Sequence, residues 1–238
     1  MGTDERRDLA GLFVSALRHL CAYHDCALRE VVASHLALQL LHPQPSLDLS
    51  LLLRLPHTAP PPYVDLTPRR LSSVIDGGGV DGRLPTPKPA ASIAEVRALA
   101  AALCCCGGVH AVQAIDVRLG EEAIVAFAEV LRFSSHLTSL RLNHVTSNSN
   151  AARSSLSTLV DMLPAARAPL AVLDLAHNAH LEESVLIRLT HALRGLPRAL
   201  SALQLDGCGL TTRAIEQLGA VLSEGRWPSS LQTLTLAH

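Results

Sequence analysis

The chain has 238 residues and a formal net charge of −1, enough for one large domain or two small ones. It is 48% hydrophobic but only 3% aromatic, so its core has to be aliphatic and suits many small stacked layers. Without a long basic or acidic run it has no electrostatic footprint for nucleic acid, and no steered attraction to an anionic membrane.

The six cysteines form no disulfide framework, and a chain of this size needs none, so a reducing compartment is the default. The N-terminus MGTDERRDLAGLFVSALRHL carries acids and lacks a continuous apolar core, unlike a secretory signal. Arg6 stands where a myristoylation motif wants Ser or Thr. The apolar stretch 27–55 is broken by His42, Pro43 and Pro45, so no membrane span is expected. The expectation is a soluble cytoplasmic protein.

In chain order, residues 4–21 predict an amphipathic helix. Leu9, Leu12, Phe13, Ala16, Leu17, Leu20 and Cys21 share one face, and Asp4 and Glu5 sit at its positive end. A second helix is predicted after Asp25, with a stripe of Leu28, Val32, Leu36 and Leu40, ending before Pro43. Residues 1–42 therefore read as a helical hairpin or cap. Residues 43–90 read as a degenerate repeat followed by a Pro/Gly-rich loop. LDLSLLLRL (47–55) is apolar enough for a strand and YVDL (63–66) is a second candidate, while 73–90 holds Gly77-Gly78-Gly79, Pro85, Pro87 and Pro89.

Regularity begins at Ala91. Ile93, Val96, Leu99, Ala100 and Leu103 fall on one helix face, and Gly107-Gly108 follows. Strand phrases then start at Val112, Leu137, Leu170, Leu200 and Leu231, at steps of 25 to 33 residues. Helical patterns fill the gaps: Glu121 to Leu131, Ala152 to Leu163, Glu182 to Leu193 and Thr211 to Leu222. The best-formed phrases are Leu170, Leu173, Leu175, Asn178 and Leu200, Leu203, Leu205, Cys208, each L-x-x-L-x-L-x-x-[N/C].

In such a phrase the inner L-x-L alternates, so both leucines face one side of a short strand. The helix that follows returns the chain for a parallel neighbour. One unit cannot hide its apolar face, so units stack. Helices are about 10 Å wide and paired strands about 4.8 Å apart, so the stack curves with strands inside. The polar residue closing each phrase can bond backbone groups of the turn; that position reads Gly120, Val145, Asn178 and Cys208.

This pattern, over 91–238, resembles the leucine-rich repeat family, specifically its ribonuclease-inhibitor-like class. The resemblance implies an α/β leucine-rich repeat solenoid, with a curved parallel sheet inside, helices outside and an N-terminal helical cap. It also implies a concave sheet face that binds another protein. On that face the central column reads Asp116, Arg141, Asp174, Gln204 and Thr235, and the next Arg118, Asn143, Ala176, Asp206 and Ala237. The candidate partner-binding residues are Asp116, Arg118, Arg141, Asn143, Asp174, Gln204 and Asp206. The alternating signs of Asp116, Arg141 and Asp174 also fit a plain surface ion ladder.

His144, His177 and His238 share a column at the strand ends but read as solvated turn residues, since nothing completes a metal site. Cys104-Cys105-Cys106 reads as small hydrophobes at a helix end, with acylation or redox chemistry as the alternative. GxxxxGK[ST], GxSxG and HExxH are all missing. No cofactor or metal is expected, and the chain reads as a non-catalytic interaction scaffold rather than an enzyme. The alternative is regulation of a small GTPase, because Ran GTPase-activating proteins resemble this repeat class. The last repeat is incomplete: Leu231, Leu234 and Leu236 finish a strand and His238 follows, which predicts self-association through an uncovered layer or a truncated product.

Overall fold

Apolar spacing sets each element. The computed structural model describes residues 2–24, 26, 28, 30–42, 46–49, 93–117, 119–146, 150–178, 181, 183–196, 198–224 and 227–237. The chain starts with helices α1 (Thr3–Tyr23) and α2 (Glu30–Leu40), then strand β1 (Ser46–Asp48). From there helix and strand alternate: α3 (Ile93–Cys105), β2 (Ala111–Ile115), α4 (Glu121–Phe133), β3 (Ser139–Asn143) and α5 (Asn150–Met162). A 3₁₀ turn, Leu163–Ala165, leads to β4 (Val172–Asp174), α6 (Glu183–Gly195) and β5 (Ala202–Gln204). Last come α7 (Thr212–Leu222), the one-turn α8 (Trp227–Ser230) and β6 (Thr233–Thr235). The sequence pattern does not announce α8, which buries Trp227.

The six strands form one all-parallel sheet in the order β1-β2-β3-β4-β5-β6. The helices pack in the same sequential order, α1 on α2 and on α3, then each on the next through α7. The strands' alternation puts one face of the sheet into the core. Leu47, Val112, Leu140, Leu173 and Leu203 align in register, and each is at most 1% exposed. Their mate on the last strand, Leu234, is 41% exposed because no further strand covers it among the described residues.

At the other end the helical hairpin closes the stack. Val32, Leu36 and Leu40 of α2 are buried, as are Ala10, Phe13, Leu17 and Cys21 of α1. Gln39 of α2 binds the backbone of β1: its Oε1 accepts from the Asp48 amide at 2.8 Å and its Nε2 donates to the Asp48 carbonyl at 3.2 Å. Three residues expected on buried faces are exposed: Leu12, Ile93 and Ile215. Each lies at the margin of its stripe, and in α7 the buried line is Ala214, Leu218 and Val221 instead. Of LDLSLLLRL, only the part through Leu49 is among the described residues; YVDL and the loop at 73–90 lie outside them. Among the described residues no helix is long and apolar enough to cross a membrane.

Because every inner layer is sealed by the next, cavity formation should cost most at the centre of the sheet. Leu173→Ala is expected to lower stability by about 2–5 kcal/mol, and Leu234→Ala by under about 1 kcal/mol. Urea unfolding of both variants checks the ranking; equal losses would refute it.

Candidate functional site

The sheet face turned away from the helices is a grid fixed by backbone pairing. Its central column is Asp48, Gln113, Arg141, Asp174, Gln204 and Thr235. Gln113, not Asp116, stands beside Arg141. The first full phrase therefore runs Val109, Val112, Ala114, Val117, three residues earlier than Val112, Ile115, Val117 suggests, and all four of its residues are buried. The neighbouring column starts with Ile115 beside Asn143. It continues through Ala176, Asp206 and Ala237, whose carbonyls accept from the amides of His144 at 3.0 Å, His177 at 2.6 Å and Gly207 at 2.6 Å. Arg118, expected in that column, lies outside the described residues. The same three-residue offset moves the turn position assigned to Gly120 to Val117.

Asp116 sits past the end of β2, in a column with His144, His177 and Gly207. All four have positive φ, between 52° and 61°. This left-handed step turns each strand toward its helix; glycine adopts it freely, while Asp and His tolerate it less well. Asp116 Oδ1 lies 2.8 Å from His144 Nδ1, both side chains well exposed, so the pair is a weak surface contact. The expected ladder of Asp116, Arg141 and Asp174 does not form. Asp174 is 5% exposed and its Oδ1 accepts from the Ala176 amide at 2.9 Å. Arg141 is exposed and makes no ion pair among the described residues.

No protein-family model matches the chain, and no curated protein is similar to it. The site therefore rests on its own geometry. Arg141, half-buried Asn143, Gln113 and Gln204 form the accessible polar part of the face. Asp206 is partly committed: its carboxylate accepts from Thr235 Oγ1 and, at 2.8 Å, from the Ala237 amide. The Thr235 hydroxyl first, and then the Ala237 amide and nearby His177, hold the Asp206 carboxyl below its ordinary value.

Under the face, Asn178 is completely buried and fully bonded. Its Oδ1 accepts from the Val145 amide at 3.0 Å, the Thr146 amide at 3.1 Å and Thr146 Oγ1 at 3.1 Å. Its Nδ2 donates to the carbonyls of Leu142 at 2.8 Å and Leu175 at 2.7 Å. One layer on, the Cys208 thiol donates to the Leu175 carbonyl at 3.0 Å, and burial pushes that thiol up to about 11. The two polar turn positions read from the sequence are thus joints between layers.

The remaining candidates are the histidine column and the Cys104-Cys105-Cys106 run. Among the described residues no group of three His, Cys, Asp or Glu side chains could hold a metal ion. His238 lies outside the described residues. Cys105 is exposed, while burial pushes Cys104 up to about 11 and raises Cys106 as well, so those two are protonated thiols at neutral pH. Cys104 and Cys105 border an open groove of about 680 Å³ between α3 and α4, where Arg97 pairs with Glu122 at 3.0 Å.

Asn178→Ala should cost about 3 kcal/mol or more, since it strands buried donors and acceptors on two layers. A denaturant midpoint unchanged from wild type would contradict that role. The Asp206 anchor has a pH signature. A depressed folded pKa means its contribution is present above the ordinary carboxylate pKa, 3.8, and is lost as pH falls through the lower folded value. Hydrogen exchange at the Ala237 amide should accelerate, relative to β4 amides, below about pH 4. Asp206→Asn should remove that acid-dependent component.

Proposed function

We propose that the chain is a leucine-rich repeat protein of the ribonuclease-inhibitor-like class and that it works as a non-catalytic scaffold. It would bind another protein on the outward, concave face of its sheet, in the cytoplasm. The observation that carries this reading is the grid itself. Six parallel strands in sequential order present one register-locked polar column on a face that the helices leave uncovered. Such a surface holds its side chains at fixed spacing, so a partner meets a preorganised template and little ordering cost remains.

Within the grid we assign Arg141 as the anchor, flanked by Gln113, Asn143 and Gln204. Arginine on such a face presents a planar fork of donors suited to a carboxylate or a row of carbonyls. Asp116 and Asp174 drop out of the assignment, because the first leaves the columns and the second is buried, and Arg118 lies outside the described residues. Asp206 stays at the rim, where its first task is to hold β6.

The test uses the full chain as bait, with Arg141→Glu on the sheet face and Glu129→Lys on the exposed side of α4 as control. Proteins bound through the face should bind about tenfold more weakly or worse to Arg141→Glu, as for a hot-spot arginine. They should bind Glu129→Lys as they bind wild type. Partners indifferent to Arg141→Glu, or lost equally from both variants, would refute the assignment. Saturable acceleration of GTP hydrolysis by a small GTPase would favour the regulator reading instead.

A further inference from the structure

Two of the six cysteines meet where α1 ends. The Cys26 amide donates to the Cys21 carbonyl at 2.8 Å, and the His24 amide donates to the Leu20 carbonyl at 2.9 Å. A closure of this kind, from the sixth residue back to the first, commonly brings the side chains at its two ends into contact. Here Cys21 belongs to the buried core and half-buried Cys26 packs against it. Burial first, and then the neighbouring Cys26 thiol, push Cys21 up to about 12.

The geometry can be bounded from covalent dimensions. Standard backbone bond lengths added to that 2.8 Å hydrogen bond cap the Cα–Cα separation at about 6.7 Å. A disulfide spans Cα separations up to about 6.8 Å. Cys21 lies in the buried core and Cys26 packs against the same core, so both side chains turn inward from the two ends of that closure.

We infer that Cys21 and Cys26 form a thiol–disulfide exchange site that takes low-molecular-weight disulfides. Cys26 reaches solvent and makes the first attack. Its thiolate bonds to one sulfur of the small disulfide, the sulfur–sulfur bond breaks, and one small thiolate leaves. Cys21 then attacks Cys26 Sγ, loses its proton to solvent, and expels the second small thiolate. The two protein thiols are oxidised to one disulfide, and the small disulfide is reduced to two thiols. The high pKa of Cys21 suits the second step alone, where proximity to the mixed disulfide offsets its small thiolate fraction. The ring closed is short, so the bond adds less stability than one closing a longer loop; it ties Cys26 back to the last turn of α1.

The test is incubation of the folded full chain with oxidised glutathione, then alkylation and peptide mapping. Wild type should yield a Cys21–Cys26 cross-linked peptide, 2 Da lighter than its reduced form, with no glutathione retained on either cysteine. Cys21→Ser should trap glutathione on Cys26, while Cys26→Ser should leave Cys21 unmodified and still alkylatable after unfolding. Circular dichroism confirms that both variants are folded before they are compared. Glutathione accumulating on Cys26 in wild type beside a free Cys21 would overturn the inference. So would labelling of Cys105 while both Cys21 and Cys26 stay reduced.

Discussion

A strand with a helix behind it cannot hide its own leucines, and the rest of the structure depends on that constraint. Each layer is sealed only by its neighbours, so burial is passed along the stack. The aligned column makes this visible: Leu47 to Leu203 are sealed, and Leu234, with a strand on one side only among the described residues, is open. The hairpin of α1 and α2 supplies at one end what a further strand would supply at the other. Ion pairs bridge the helix layer at Arg18–Glu30, Arg97–Glu122 and Arg188–Asp161, all substantially exposed. Exposed pairs of this kind contribute about 0–1 kcal/mol each, so they align the helices more than they hold them.

The polar counterpart of the leucine column lies in the turns. A strand that leaves the sheet exposes amides and carbonyls that a dry core cannot satisfy. Asn178 satisfies those of its own turn and also those of the turn one layer earlier, through Val145, Thr146 and Leu142. Cys208 repeats half of that pattern, donating to the Leu175 carbonyl of the layer before it. Each polar turn residue therefore ties its layer backward. Val117 and Val145 cannot, so the layer of β3 relies on Asn178 from the layer of β4.

This chemistry also explains what the sequence showed and what it hid. The leucines of β3 to β6 and the buried stripes of most helices were legible, because apolar residues there recur at strand or helix spacing without a rival reading. The phrase around β2 was not. Ala114 occupies a leucine position and Val117 a polar one, so Val112, Ile115 and Val117 offered an equally apolar phrase. The two readings differ by three residues, an odd shift, and an odd shift exchanges the two faces of a strand. Only the pairing of Gln113 with Arg141 decides between them, and pairing is not a local property. Asp174 was hidden differently: its column was right, but its burial and its bond to the Ala176 amide are not written in strand alternation. The convergence of Cys21 and Cys26 needed the closing hydrogen bond, which helical spacing alone does not imply.

These corrections change the electrostatics of the face. Read from spacing, it was a ladder of alternating charges that could neutralise itself. In the structure the carboxylates are occupied elsewhere: Asp116 with His144, Asp174 with the Ala176 amide, Asp206 with Thr235 and the Ala237 amide. Arg141 is left exposed between Gln113 on one side and, on the other, Asp174, whose Oδ1 accepts from the Ala176 amide. Water satisfies its guanidinium in the free protein at little cost. On the proposed reading, a partner that displaces that water has to return acceptors in the same plane, or bury a bare cation at a penalty of several kcal/mol. On that reading, selectivity at this face would come less from the abundance of charge than from one exposed arginine beside a carboxyl group that is already bonded.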